Sequence, residues 1–269
     1  MGNLDRLFAG LADDASRQLL VRLLAFRTLG NERVRLPLAE DHDYIRRVRE
    51  LEKLATGNET IAVNFKGITL RQFDLSPVGY PLRLFGTAAG LVNTFILRQY
   101  LYAPRTPPLK VEHGDVVIDA GGCWGDTALY FGHESRGRVL VFEFIPSNIE
   151  VLRRNLALNP GLAGSVEVIP HPVWSTSEVP VYCRDNGPGS RVSFDRLEAN
   201  DQVVRTRSID DVVTERNLPR VDFIKMDIEG AELEALAGAR TTIRRWRPKL
   251  AISVYHRPTD ISAIPEYIE

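Results

Sequence analysis

The rhythm of hydrophobic and polar positions changes near Lys110, and that change divides the chain. Ahead of it, Leu4, Leu7, Phe8, Leu11, Ala15, Leu19, Leu23 and Leu24 recur near every third or fourth position, which predicts one amphipathic helix over 3–29. A second, charge-rich helix is predicted over 44–54, with Gly57-Asn58 as its stop. Apolar runs at 61–65 and 68–73, joined by Lys66-Gly67, predict a hairpin, and 87–101 reads as another helix. Pro104, Pro107 and Pro108 then mark the clearest linker. The expected organisation is a helical and hairpin extension over 1–105, followed by a main domain over 106–269. The extension is expected to pack on the main domain or on a second copy of the chain, as a homodimer.

Past Lys110, short β-branched runs alternate with helical patterns, the rhythm of a doubly wound α/β sheet with parallel strands. Core strands are predicted at 116–118, 138–142, 165–169, 221–226 and 250–254, with two short β-like runs at 179–183 and 203–207. Capping boxes at Ser147–Glu150 and Ser208–Asp211 open predicted helices at 148–158 and 209–216. A longer helix is predicted from Gly230 to Trp246, ended by Pro248.

Chemistry gathers at the strand ends. Asp119, Glu143 and Asp227 each close a predicted strand, and in a doubly wound sheet those ends overlook one cleft. His256 follows the last strand, so it is expected to meet Asp227, and Glu229 stands at the start of the next helix. The turn after the first strand carries Gly121, Gly122 and Gly125, but GxGxxG fails in both registers because Cys123 and Asp126, or Trp124 and Thr127, fall where glycines are required. That spacing disfavours a dinucleotide. The acids Asp119 and Asp126 flanking the turn instead suit a cationic ligand such as S-adenosylmethionine.

Composition narrows the partners. With 34 basic and 35 acidic residues there is no basic excess to hold nucleic acid or an anionic membrane. Two cysteines, Cys123 and Cys183, are too few for a disulfide framework, and no apolar run is long enough for a membrane span. A cytoplasmic protein is the expectation.

Taken together, the segments VVIDAGGCWGDTAL (116–129), VLVFEFIPSNIEVLRRN (139–155), RSIDDVV (207–213), FIKMDIEGAELEALAGA (223–239) and AISVYHRPTDISAIPEYI (251–268) resemble the FkbM family of S-adenosylmethionine-dependent methyltransferases. The resemblance implies a Rossmann-like, class I methyltransferase sheet and transfer to a hydroxyl, on a sugar, glycan or natural-product acceptor. It places the methionine portion of the cofactor on Asp119 and Gly121, the ribose on Glu143, and the adenine beside His171 and Val173. Gly122, Trp124, Gly125, Asp126, Thr127 and Phe144 would complete the pocket. Cys123-Trp124 and Phe144 depart from the family's more frequent Asn and Pro. The catalytic set is Asp227, His256 and Glu229. In one mechanism His256 takes the hydroxyl proton while Asp227 orients it. In the other these residues share a divalent cation, and the metal-free route is favoured because the ligand set is thin. The alternatives are an NAD-dependent reductase and a catalytically inactive scaffold of the same fold. Methyltransferase sheets of this class usually end in two further strands. Only 13 residues follow His256, so a short sheet, or a longer parent chain, is expected.

Overall fold

The computed structural model describes residues 3–36, 42–196, 198–199 and 201–269. The predicted first helix is two, α1 (Asn3–Gly10) and α2 (Asp14–Leu29). Asp13 causes the break. Its carboxylate accepts from the Ser16 backbone N–H at 2.8 Å and Ser16 Oγ at 2.9 Å, capping α2 where α1 would have continued. Helix α3 (His42–Glu52) leads into an antiparallel sheet of β1 (Ala55–Ala62), β2 (Thr69–Asp74) and β3 (Arg83–Gly86), paired in that order. Gly57-Asn58, read as a helix stop, lies inside β1. The register jumps there between Ala55 and Thr60, and Gly57 takes φ +66°, so the glycine serves a strand irregularity. Helix α4 (Ala88–Leu91), capped by Thr87, widens into a π-helical turn at Val92–Ile96. The predicted helix over 87–101 stops short because Arg98 turns into the left-handed region at φ +51°.

The main sheet follows. Strand β4 (Val116–Ala120), α5 (Asp126–Ser135), β5 (Arg138–Phe142), α6 (Pro146–Ala157), α7 (Pro160–Ala163) and β6 (Val166–Ile169) build outward in one direction. An excursion, β7 (Pro180–Cys183), β8 (Val192–Ser193) and β9 (Gln202–Arg205), forms a small antiparallel sheet in the order β8-β7-β9. Helix α8 (Ile209–Glu215) then carries the chain back to β10 (Phe223–Met226), α9 (Glu232–Ala237), α10 (Arg240–Trp246), β11 (Lys249–Ile252) and α11 (Asp260–Ile268). The parallel order is β11-β10-β4-β5-β6, so the chain reverses its direction of winding between β4 and β10. In doubly wound sheets, ligands bind beyond the strands' carboxyl ends at that point.

Strand alternation sorts the core onto two faces. Val117 and Val141 face a cluster with Phe131, Phe223 and, from the extension, Phe73, Leu84 and Phe95. Ile118, Leu140 and Ile224 face α8 and α9 through Ile209, Val212 and Leu236. Extension and main domain thus share one apolar core across the proline-rich segment, whose ends are tied by paired backbone bonds between Tyr102 and Leu109 (2.8 and 3.0 Å).

Two local expectations change. Ser147 does not cap α6; its hydroxyl donates to Asp185 at 2.6 Å, and the N-cap is Ile145. The predicted helix over 230–246 breaks at Gly238, where a Cβ would lie 2.1 Å from the Trp174 carbonyl oxygen. The Ser208 cap does form, accepting from the Asp211 N–H at 3.1 Å. After β11 the chain turns into α11, and among the described residues the parallel sheet has five strands. No described helix is long and apolar enough to cross a membrane.

Candidate active site

The site begins with the turn that leaves β4. Gly121 sits at φ +88°, and a Cβ there would lie 2.1 Å from the carbonyl oxygen of Asp227. Only glycine lets the exits of β4 and β10 run so close. Gly122 and Gly125 have a different task. Side chains there would strike Val141 and Leu152, at 2.1 and 2.9 Å, so these glycines seat the turn against β5 and α6. Cys123 turns left-handed (φ +43°) and donates its backbone N–H to Glu143 Oε2 at 2.9 Å. Burial pushes the Cys123 thiol well above its usual range, which fits a turn residue and not a nucleophile.

Glu143 is held mainly by backbone, with the Asn148 side chain beside it. Its Oε1 accepts from the N–H groups of Phe144 and Ile145, each at 2.8 Å. Burial pushes its pKa up against these bonds. Each carboxylate oxygen offers two lone pairs, so Oε2, which accepts the Cys123 N–H, has room for one further donor, either the neighbouring Asn148 side chain or a ligand. Glu143 lines a first cavity with Phe144, His171, Val173 and the loop around Pro188. His171 is set there by its Nδ1, 2.8 Å from the Arg205 carbonyl.

A second cavity, of about 370 Å³, adjoins the first. Trp124, Asp126 and Thr127 form one side, and Phe65, Phe85, Asn93, Gln99 and Tyr100 of the extension form the other. Asp126 accepts from Thr94 Oγ1 at 2.8 Å, and its burial raises its pKa. Gly121, Cys123, Pro188 and Asp227 border both cavities.

At that junction lies the acid–histidine cluster. His256 Nε2 is 3.3 Å from Asp227 Oδ1 and 3.5 Å from Glu229 Oε1, while Nδ1 is 2.8 Å from Glu232 Oε1. Glu232 is almost fully buried and also accepts the Ile228 N–H at 3.0 Å. Burial disfavours the imidazolium, but bonds to Glu229 and Glu232 and the charge of Asp227 outweigh it, and the His256 pKa is pushed up to about 10. His256 therefore carries its proton at neutral pH. That direction weighs against His256 as a proton acceptor, and Asp227 and Glu229 are the carboxylates that face its Nε2. Tyr255 donates its hydroxyl to the same Asp227 Oδ1 at 2.7 Å. Among the described residues, no set of three or more His, Cys, Asp or Glu side chains is arranged to hold a metal ion.

Asp119 is placed otherwise than the charge argument expects. It is fully buried, accepts from Thr127 Oγ1 at 2.6 Å, and lies 3.1 Å from Lys225 Nζ. Asp119, Gly122 and Gly125 line neither cavity. The acid beside the turn is thus already matched by an internal cation. Sequence reasoning passed over Lys225, Glu232 as a partner of His256, and Tyr255, although all three lie in motifs that it singled out. What Lys225 shares with Asp119 is its height in the sheet, since β10 pairs with β4 in the register Lys225–Asp119.

Glycine turn, strand-end acids and switch-point cavities define a class I methyltransferase fold. Residues 112–269 match the family model described as the methyltransferase FkbM domain, and the chain belongs to that family. The methyltransferase sdnD of Sordaria araneosa is 29% identical over 153 residues, which are 45% of this chain and 59% of the relative. The crystal structure of the methyltransferase FkbM from Methylobacillus flagellatus KT superposes with a TM-score of 0.54 at 23% identity, covering 99% of this chain and 51% of that one. The chain thus spans between half and three fifths of the length of these relatives.

Proposed function

We propose that the protein transfers a methyl group from S-adenosylmethionine to a hydroxyl group of a small-molecule or glycan acceptor. The observation that carries this reading is Asp227, which borders both cavities, accepts the Tyr255 hydroxyl and faces His256 Nε2 at 3.3 Å. The residues of the first cavity fit the cofactor. Glu143 Oε2 has room for one further donor such as a ribose hydroxyl, Phe144 and Val173 offer apolar walls to a base, and Gly121 borders the cavity. An NAD reading is not favoured, because the glycines Gly122 and Gly125 serve packing and the pyrophosphate spacing is absent.

S-adenosylmethionine supplies a methyl group on a sulfonium, which an oxygen lone pair displaces as the C–S electron pair returns to sulfur. Alignment of donor and acceptor supplies much of the acceleration in such a displacement. The chain's part is to hold the acceptor oxygen at Asp227. There the carboxylate takes the hydroxyl proton as the new C–O bond forms, and the proton leaves to solvent afterwards. The His256 imidazolium and the Tyr255 hydroxyl fix the carboxylate's orientation, and Glu229 and Glu232 hold the imidazolium in turn. The apolar and amide side chains of the second cavity receive the acceptor's body.

Calorimetry of the purified protein should show binding of S-adenosylmethionine and S-adenosylhomocysteine and none of NAD. Metabolite profiling of a deletion strain should show accumulation of a species lighter by one methyl group. Tight NAD binding, or an unchanged metabolite profile, would count against the reading.

A further inference from the structure

Lys225 has no place in the mechanism above, yet it is among the largest fully buried side chains of the sheet. Its Nζ lies 2.6 Å from the Gly121 carbonyl oxygen, 3.1 Å from that of Ala120 and 3.1 Å from Asp119 Oδ1. An ammonium has three donors; two form hydrogen bonds here, and the contact with Asp119 is an ion pair. Both hydrogen bonds go to the backbone of the glycine turn. Burial works against the charge, but the neighbouring Asp119 carboxylate outweighs it and keeps Lys225 protonated. A buried ion pair contributes little net stability compared with apolar residues of similar volume, so packing alone does not account for a lysine here.

The placement of these bonds is more telling. The Gly121 and Gly122 N–H groups both donate to the Phe142 carbonyl at 3.0 Å, which pins one side of the turn to β5. The Gly121 carbonyl is pinned on the other side by Lys225. The Ala120 carbonyl accepts both from Lys225 and from the Asp227 N–H at 3.1 Å, so one oxygen ties the turn to the backbone of the proton acceptor.

We propose that Lys225 is a positioning residue of the methyl-transfer site, holding the Ala120–Gly121 turn in its ligand-ready orientation and locking it to Asp227, a role separate from its pairing with Asp119. The proposal rests on the reading of the first cavity as the S-adenosylmethionine site. The test uses the full chain and separates the two roles of the ammonium. Lys225→Met alone strands a buried carboxylate and should lower both thermal stability and affinity. In the double variant D119N/K225M the stranded charge is gone, so melting should return close to wild type while the S-adenosylmethionine Kd stays at least about 10-fold weaker. D119N/K225Q keeps amide N–H donors at shorter reach and should lose about 3-fold or more. It carries the comparison if the methionine variant does not fold. Wild-type affinity in either folded double variant would reduce Lys225 to a counterion and overturn the proposal. Absence of S-adenosylmethionine binding by the wild-type protein would instead remove the cofactor reading, and the proposal with it.

Discussion

The two cavities that meet at Asp227 are assembled differently. Every wall of the first comes from residues 121–231, inside the family match, and most of it from the few positions that follow strand ends. The second borrows Phe65, Ile68, Phe85, Asn93, Gln99 and Tyr100 from before that match. One half of the site is therefore a by-product of the sheet. The other half depends on how an antiparallel sheet and a π-helical turn are laid over it, through the apolar core they share with the sheet. Function lives in sites carried by folds, and here the division runs through one pair of cavities.

The largest effect should come from the shared wall. Asp227→Asn should lower kcat about 10²–10⁴-fold, the usual range for loss of a general base, with cofactor affinity changed less than about 3-fold. Wild-type turnover in steady-state assays would show that the chemistry does not occur where the cavities meet. Next is the cofactor side. Charge-assisted hydrogen bonds contribute about 1.5–3 kcal/mol, so Glu143→Ala should weaken S-adenosylmethionine binding roughly 10- to 150-fold by calorimetry. The KM for acceptor should stay near wild type.

On the acceptor side the expected change is smaller and opposite in kind. Asn93→Leu removes one neutral hydrogen-bonding group, worth about 1 kcal/mol, and should raise the acceptor KM about 5-fold while leaving the cofactor Kd unchanged. A shift in the cofactor Kd instead would erase the division between the cavities. The smallest effect concerns pH. The His256 pKa is raised from an ordinary value near 6.5 to about 10, so its contribution to stability is complete below about pH 6.5 and is lost as pH rises through about 10. Melting temperature should fall progressively over that window, and less steeply in His256→Asn. Turnover should pass through pH 6.5 without the rise expected of a histidine base.

Much of the sheet was legible because its signals are local. Short β-branched runs ending in Asp119, Glu143 and Asp227 mark strands and their exits, and the Asp227–His256 meeting follows from strand order alone. The errors have local causes too. Asp13 outcompeted an uninterrupted hydrophobic stripe, and Gly57-Asn58 is as good a strand irregularity as a helix stop. The ionic state of the site was not legible. Asp119 and Asp126 read as two charges for a ligand because a sequence does not show that Lys225 stands opposite Asp119. The setting of His256 was not legible either, because its three carboxylate neighbours come together only where the β10 exit and the start of α9 meet the β11 exit.

By itself the sequence determined the periodicities, and with them the parallel sheet, the position of the glycine turn and the acids at the strand exits. Those depend on spacing between neighbours in the chain. Tertiary structure decided which charges are matched, in which direction burial and neighbours push their pKa values, and which distant segments wall the second cavity. Those depend on distances of 3–4 Å between residues as far apart as Asp119 and Lys225, where burial removes the water that would otherwise screen them.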